Sequence, residues 1–293
     1  MIIKLKAYPK ETLCIIIAIV VYGFGVFIVG ISSTLMLLLV VPTCVFSVFA
    51  FKYGKPNLYN RIDNLICLFW WGAYVILVVL TATQTLPLVN EFTNWIWIVI
   101  IPIIIVKFTN KTTIKETLSV IGLCGSAIKQ PWKIKTLCLC LITAPLLIWA
   151  AHGRFDITFA TVVERPTTLL FFPVMFILMM LTAGTTEEVF FRGIIQRNMY
   201  NATKSQVIAV LVSALLFALF HLPWAYFFWS HTQGDVLLSI ASVMTEQFTA
   251  GIFLGVVFIR SSNLWTVIIL HSFINSVWAT ATFFTDNPIL RFG

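Results

Sequence analysis

Charge is what this sequence has least of. Only 10% of its residues are Asp, Glu, Lys or Arg, against 60% hydrophobic, which excludes an ordinary soluble domain with its roughly 25% of charged residues. Paired cysteines are missing as well. None of Cys14, Cys44, Cys67, Cys124, Cys138 and Cys140 makes a CxxC pair, and all but Cys124 sit within or beside apolar stretches. They read as small buried hydrophobes, neither disulfides nor metal ligands. There is no HExxH helix, so the commonest zinc-protease signature is excluded. Nor does any internal repeat pair two halves of the chain, which counts against transporters built from repeated bundles.

What is there in quantity is apolar sequence. Hydrophobic stretches occur at about 12–30, 34–51, 65–82, 94–106, 136–151, 167–183, 205–222, 236–259 and 264–284, and most approach the ~20 residues that cross ~30 Å of hydrocarbon. The reading is all-α: a polytopic membrane helix bundle of eight or nine transmembrane helices. Segment 94–106 is the weakest of them. It contains Pro102 and is tilted, kinked or extended back through Thr93 and Phe92 if it spans. Segment 136–151 is also short. The first stretch is longer than a secretory h-region and is followed closely by another, so it reads as a retained helix.

A net charge of +8 suggests nucleic acid in a soluble protein, but here the basic residues sort by loop, as the positive-inside rule requires. With the N-terminus in the cytoplasm, 16 of the 19 lie on one side, and only Arg154, Arg165 and Arg291 lie opposite. The bilayer is therefore the first partner, nucleic acid is not expected, and the location is a cell membrane of bacterial type. The lysine-rich stretch 107–135 reads as a solvated cytoplasmic surface facing headgroups. His152 and His231 fall in expected outer loops, and Trp224, Tyr226, Phe227 and Trp229 form an aromatic belt.

The chain divides into N-terminal scaffold helices, 1–150, and a chemical core, 151–293. Residues 167–284 hold every intramembrane carboxylate and the two histidines, of four, that fall inside apolar stretches. Ionisable groups at membrane depth cost at least roughly 2.5–3.5 kcal/mol each, so they mark functional sites. Three patterns stand out: Glu187-Glu188-x-x-x-Arg192, Phe217-x-x-x-His221 and His271-x-x-x-Asn275. Residues four apart share a helix face. Glu188 and Arg192 are thus placed as an ion pair, leaving Glu187 to face elsewhere; Phe217 is placed to pack on His221; His271 and Asn275 point together.

Depth decides whether the patterns can meet. If Asn201–Lys204 is a cytoplasmic turn, Glu187 and His221 lie roughly 21 and 25 Å from it along their helices, provided the helix of 167–183 continues to about Tyr200. His271, measured from a turn at 260–263, lies only roughly 12 Å in, a gap for tilt or an extended turn to close. Singly, each residue reads as interhelical glue. Together, two carboxylates, two imidazoles and an amide on three converging helices also read as a water-activating site. Elsewhere, Glu246 reads as a pocket-lining group or an interhelical hydrogen-bond partner, and Gly251-x-x-x-Gly255 as a close-packing face.

The ordered set EExxxR, FxxxH and HxxxN on successive hydrophobic helices resembles the CPBP intramembrane proteases, which include type II CAAX prenyl endopeptidases and Abi-type and bacteriocin-associated bacterial proteins. The resemblance implies an endopeptidase cutting a membrane-associated protein or peptide. It gives Glu187 as general base, His221 as orienter of the same water, His271 and Asn275 as oxyanion-side donors, and Glu188 and Arg192 as support. The rival mechanism places a divalent metal such as zinc on Glu187, His221 and His271, a legitimate three-ligand set with a fourth position open. A rival function is a non-proteolytic membrane partner or immunity protein on the same fold. Among substrates, a CAAX-like protein follows from the resemblance, while the lysine- and isoleucine-rich composition favours a pheromone or bacteriocin-type peptide.

Overall fold

In a computed structural model, the protein is described at residues 61–83, 91–123, 168–229, 231–261 and 263–283, and at positions 16, 17, 19, 20 and 23. The described residues contain helices and turns and no strand. Helix α1 is Arg61–Ala82. Helix α2, residues 91–110, joins Glu91–Asn94, a π-helical Trp95–Ile100 and Ile101–Asn110; α3 is Ile114–Ile121. Helix α4, residues 168–203, is unbroken through π-helical turns at Met180–Gly184 and Val189–Gln196. Helix α5 is Gln206–Phe227, α6 covers 236–261 with a π-helical turn at Met244–Phe248, and α7 is Leu264–Phe283.

By length and composition four of these helices can cross a membrane: Leu65–Ala82, Leu170–Thr203, Gln206–Phe227 and Val236–Ile259. The pair Trp95–Asn110 and Ile114–Ile121, bent by 110°, makes a fifth if it counts as one span. The protein is an integral membrane protein, but the expected eight or nine spans are not reached among the described residues. Segments 34–51 and 136–151 lie outside them, as does 12–30 except for five positions. Segment 94–106 does extend backwards, to Glu91. Its Pro102 lies inside that continuous helix just after the π-helical stretch, and the Trp97 carbonyl five residues earlier accepts instead from the Trp70 indole at 2.6 Å. The last segment forms a helix over the expected range, although its described apolar stretch, Leu264–Val277, is shorter than a full span.

Side-chain caps place the helix ends. Thr113 and Glu116 form a reciprocal capping box at the start of α3, within the stretch expected to be loop. The turn expected at Asn201–Lys204 is tighter than that. Helix α4 runs on to Thr203, Lys204 turns the chain at φ 55°, and the Ser205 hydroxyl accepts from Ile208 N to open α5. Asp235 opens α6 through Leu238 N, and Asn263 opens α7 by accepting from the amides of Trp265 and Thr266.

Lipid-facing residues such as Phe69 and Leu237 are 76% and 74% exposed. The core gathers residues from α1 to α3 (Tyr74, Val78, Ile98, Val106, Ile121) with Phe190, Phe191, Phe217 and Phe253. Two glycines allow backbones to touch. A Cβ on Gly251 would sit 2.8 Å from Ala214 Cα, so α5 and α6 meet through the expected small-residue face, whose Gly255 abuts Gln196 and Val210. A Cβ on Gly184 would sit 2.0 Å from Ser272 Oγ, which fixes α4 against α7.

Candidate active site

Glu187 and Glu188 occupy a single α-helical turn, Thr185–Glu188, between the two π-helical stretches of α4. Such widened turns redirect successive side chains and recur at functional sites. The two carboxylates part company here. Glu188 is fully buried, and its Oε1 accepts from Arg192 Nη1 at 2.8 Å and from His271 Nδ1 at 2.6 Å. The spacing-based ion pair is thus present, and to it the structure adds a histidine from α7. Arg192, 0% exposed, also donates from Nη2 to the Gly251 carbonyl at 3.2 Å and lies over the Phe217 ring at 4.7 Å. It is therefore no cytoplasmic flanking charge, and the orienting set loses it.

Glu187 turns the other way. Its Oε2 lies 3.9 Å from His221 Nε2 and 3.8 Å from His271 Nε2, is shielded from solvent, and has no direct hydrogen bond. Both imidazoles are set by their other nitrogen. His221 Nδ1 donates to the Phe217 carbonyl at 2.8 Å, and His271 Nδ1 donates to Glu188. Each ring therefore presents Nε2 to Glu187. Phe217 packs edge-on to His221 with centroids 4.7 Å apart, as its spacing predicts, and reaches His271 at 6.0 Å.

The structure thus brings Glu187, Glu188, Arg192, His221 and His271 into one cluster. The Glu188–His271 contact joins residues 83 apart in sequence. Asn275 follows one turn after His271, half-buried, with no side-chain hydrogen bond among the described residues. Depth explains how His271 arrives. Leu264 packs on Gly193, so the buried Asn263 turn lies about ten residues, roughly 15 Å, deeper than the end of α4. Adding that to the roughly 12 Å expected for His271 brings it level with Glu187.

Several polar residues around the cluster have no signature in the three motifs. Ser213 donates to the Phe191 carbonyl at 2.9 Å and Gln196 to the Gly255 carbonyl at 2.9 Å, both steadying the π-helical stretch after the glutamates. Glu246 accepts from Ser242 at 3.2 Å; Ser242 also meets the exposed His231 at 3.2 Å, so this carboxylate is engaged along its own helix and toward the loop before it. As potential metal ligands, no group of three or more His, Cys, Asp or Glu side chains qualifies among the described residues.

Fold and site together define a helical integral membrane protein with a carboxylate–imidazole cluster enclosed between three helices. Residues 169–277 match the family model described as Type II CAAX prenyl endopeptidase Rce1-like. The resemblance drawn from the three motifs is borne out there, since all seven residues of the three motifs fall inside the match. No curated protein and no solved structure matches the chain.

Proposed function

We propose that the protein is an intramembrane endopeptidase that activates water between Glu187 and His221 and hydrolyses a peptide bond of a membrane-associated protein or peptide. The observation that carries this is the position of Glu187 Oε2, buried and 3.9 and 3.8 Å from two imidazole Nε2 atoms. Those separations are too long for direct hydrogen bonds and suit one water making two bonds of ~2.8 Å. They are wider than the roughly 3.4 Å that ligands of a tetrahedral zinc keep at ~2.0–2.1 Å bond lengths. The geometry therefore favours water over metal between these groups.

The steps follow from donors and acceptors. His221, committed at Nδ1 to the Phe217 carbonyl, offers a bare Nε2 to one water hydrogen while Glu187 takes the other. The hydroxide so formed attacks the scissile carbonyl carbon. His271, when its Nε2 carries a proton, and the Asn275 amide donate to the oxyanion. Glu187 then delivers its proton to the amide nitrogen, the C–N bond breaks, and an acid and an amine leave. Glu188 and Arg192 act indirectly, neutralising one another while Glu188 fixes the tautomer of His271. The substrate class follows the family description: a CAAX-type membrane-attached protein, with a pheromone or bacteriocin-type peptide as the rival.

The test is cleavage of a panel of such peptides by the purified chain and by Glu187→Gln, each with and without a strong zinc chelator. Expected is turnover that the substitution lowers by at least about 10³-fold and that the chelator leaves intact. Because a carboxylate-bound imidazole such as His271 is also how proteins orient metal ligands, loss of turnover to the chelator alone would move the mechanism to zinc. A cellular phenotype that survives Glu187→Gln would favour the non-proteolytic partner instead.

A further inference from the structure

Two residues outside the family match, on helices that the sequence assigns to scaffold, reach the site. Tyr74 of α1 is fully buried, and its hydroxyl donates to Asn94 Oδ1 in α2 at 2.6 Å. Its ring stacks on Phe220 at 5.2 Å and 11°, and Phe220 meets the edge of His221 at 5.1 Å. Asn94 is held from the other side. The indole of Trp95, the next residue, donates to the Leu181 carbonyl at 2.7 Å, less than two turns before Glu187 in α4.

Packing alone does not call for this arrangement. A phenylalanine would stack on Phe220 as well as Tyr74 does, without a hydroxyl to desolvate. What the hydroxyl does is fix the Asn94 amide, engaging Oδ1 and leaving both Nδ2 hydrogens without a partner among the described residues. Asn94 is half-buried, and its neighbour Trp95 ties it to the helix that carries Glu187. A peptide cut at membrane depth must arrive extended, and each of its carbonyls then needs a donor where water is scarce.

We propose that Asn94 is a substrate-binding residue whose Nδ2 donates to a main-chain carbonyl of the bound peptide, and that Tyr74 is a positioning residue that orients the Asn94 amide and braces His221 through Phe220. The inference rests on the proteolytic reading. It adds that the N-terminal helices contribute to substrate recognition and not to support alone.

The experiment uses the full chain in proteoliposomes with a farnesylated, fluorescence-quenched peptide ending in Cys-aliphatic-aliphatic-X. Tyr74→Phe and Asn94→Ala are each expected to raise KM about fivefold to tenfold, the worth of one neutral hydrogen bond. Changes in kcat should stay under about twofold, and the pH profile should match that of the unsubstituted chain. A purely structural role would lower the unfolding temperature and the active fraction and leave KM alone. Should Asn94→Ala fail to fold, Asn94→Asp keeps the shape but removes the donors, and the same KM rise is expected. KM within twofold of the parent in these variants, with Glu187→Gln inactive, overturns this inference and leaves the proteolytic reading standing. Turnover that survives Glu187→Gln, or no turnover by the parent chain of this peptide or of any pheromone or bacteriocin-type peptide in the panel, overturns both.

Discussion

Glu188 is where the residue-scale energetics concentrate. A carboxylate with no exposure is tolerable only because Arg192 and His271 both donate to the same oxygen, at 2.8 and 2.6 Å. Removing one partner strands the other, which costs about 3–5 kcal/mol for a buried pair. Arg192→Met is accordingly expected to destabilise the protein by about that much, and Glu188→Gln in the same chain should restore a large part of it. Thermal unfolding in detergent of the two single variants and the double measures the coupling. Half of this arrangement is legible in the sequence. Spacing of four places Glu188 on Arg192 and Phe217 on His221, because those contacts are local. The Glu188–His271 bond is not legible, since nothing in the spacing of either motif says at what depth α7 begins. Tyr74 and Asn94 escape for another reason: a tyrosine and an asparagine in apolar helices carry no pattern of their own.

At the scale of elements, α4 is the piece on which the site depends. Its continuity from Thr168 to Thr203 is readable from hydrophobicity once the glutamates are allowed inside the span, but its π-helical turns are not. A periodicity of 3.6 assumes the very geometry those turns abandon. The register between α4 and α7 rests on Gly184, where an added Cβ would meet Ser272 Oγ at 2.0 Å and the Met179 and Ile268 carbonyls at 3.1 and 3.2 Å. A methyl group there must push α7 away, and His271 with it. Gly184→Ala is therefore expected to lower kcat/KM by about tenfold or more, since displacements on the order of 1 Å cost that much in a positioned site. Adding Ser272→Ala removes the closest contact but not the carbonyls, so partial recovery is expected. Peptide cleavage by the single and double variants at matched folded concentration checks both statements.

Across the whole molecule, the question is what joins the N-terminal helices to the matched segment, since lipid removes the hydrophobic drive for helices to associate. The answer is packing reinforced by indole hydrogen bonds. Trp71 donates to the Leu216 carbonyl at 3.2 Å, Trp95 to that of Leu181 at 2.7 Å, and Trp265 to that of Leu123 at 3.4 Å. Each links one of the first three helices, or the residues just after them, to the later ones. Beneath these bonds Tyr74, Val78, Ile98, Val99 and Ile121 share one continuous core with Phe190, Phe191 and Phe220. Contacts of that kind do not depend on the covalent link between Leu123 and Thr168. A protease site engineered between those residues should therefore, after cutting in proteoliposomes, leave two fragments that co-purify and retain most of the peptide-cleaving activity. Residues 151–293 expressed alone are expected to be inactive, because α4 and α5 would then lack their partners around Phe191 and Phe220. If that fragment cleaves the peptide with an unchanged KM, the division into scaffold and self-sufficient core holds in its simplest form, and the N-terminal helices serve another purpose.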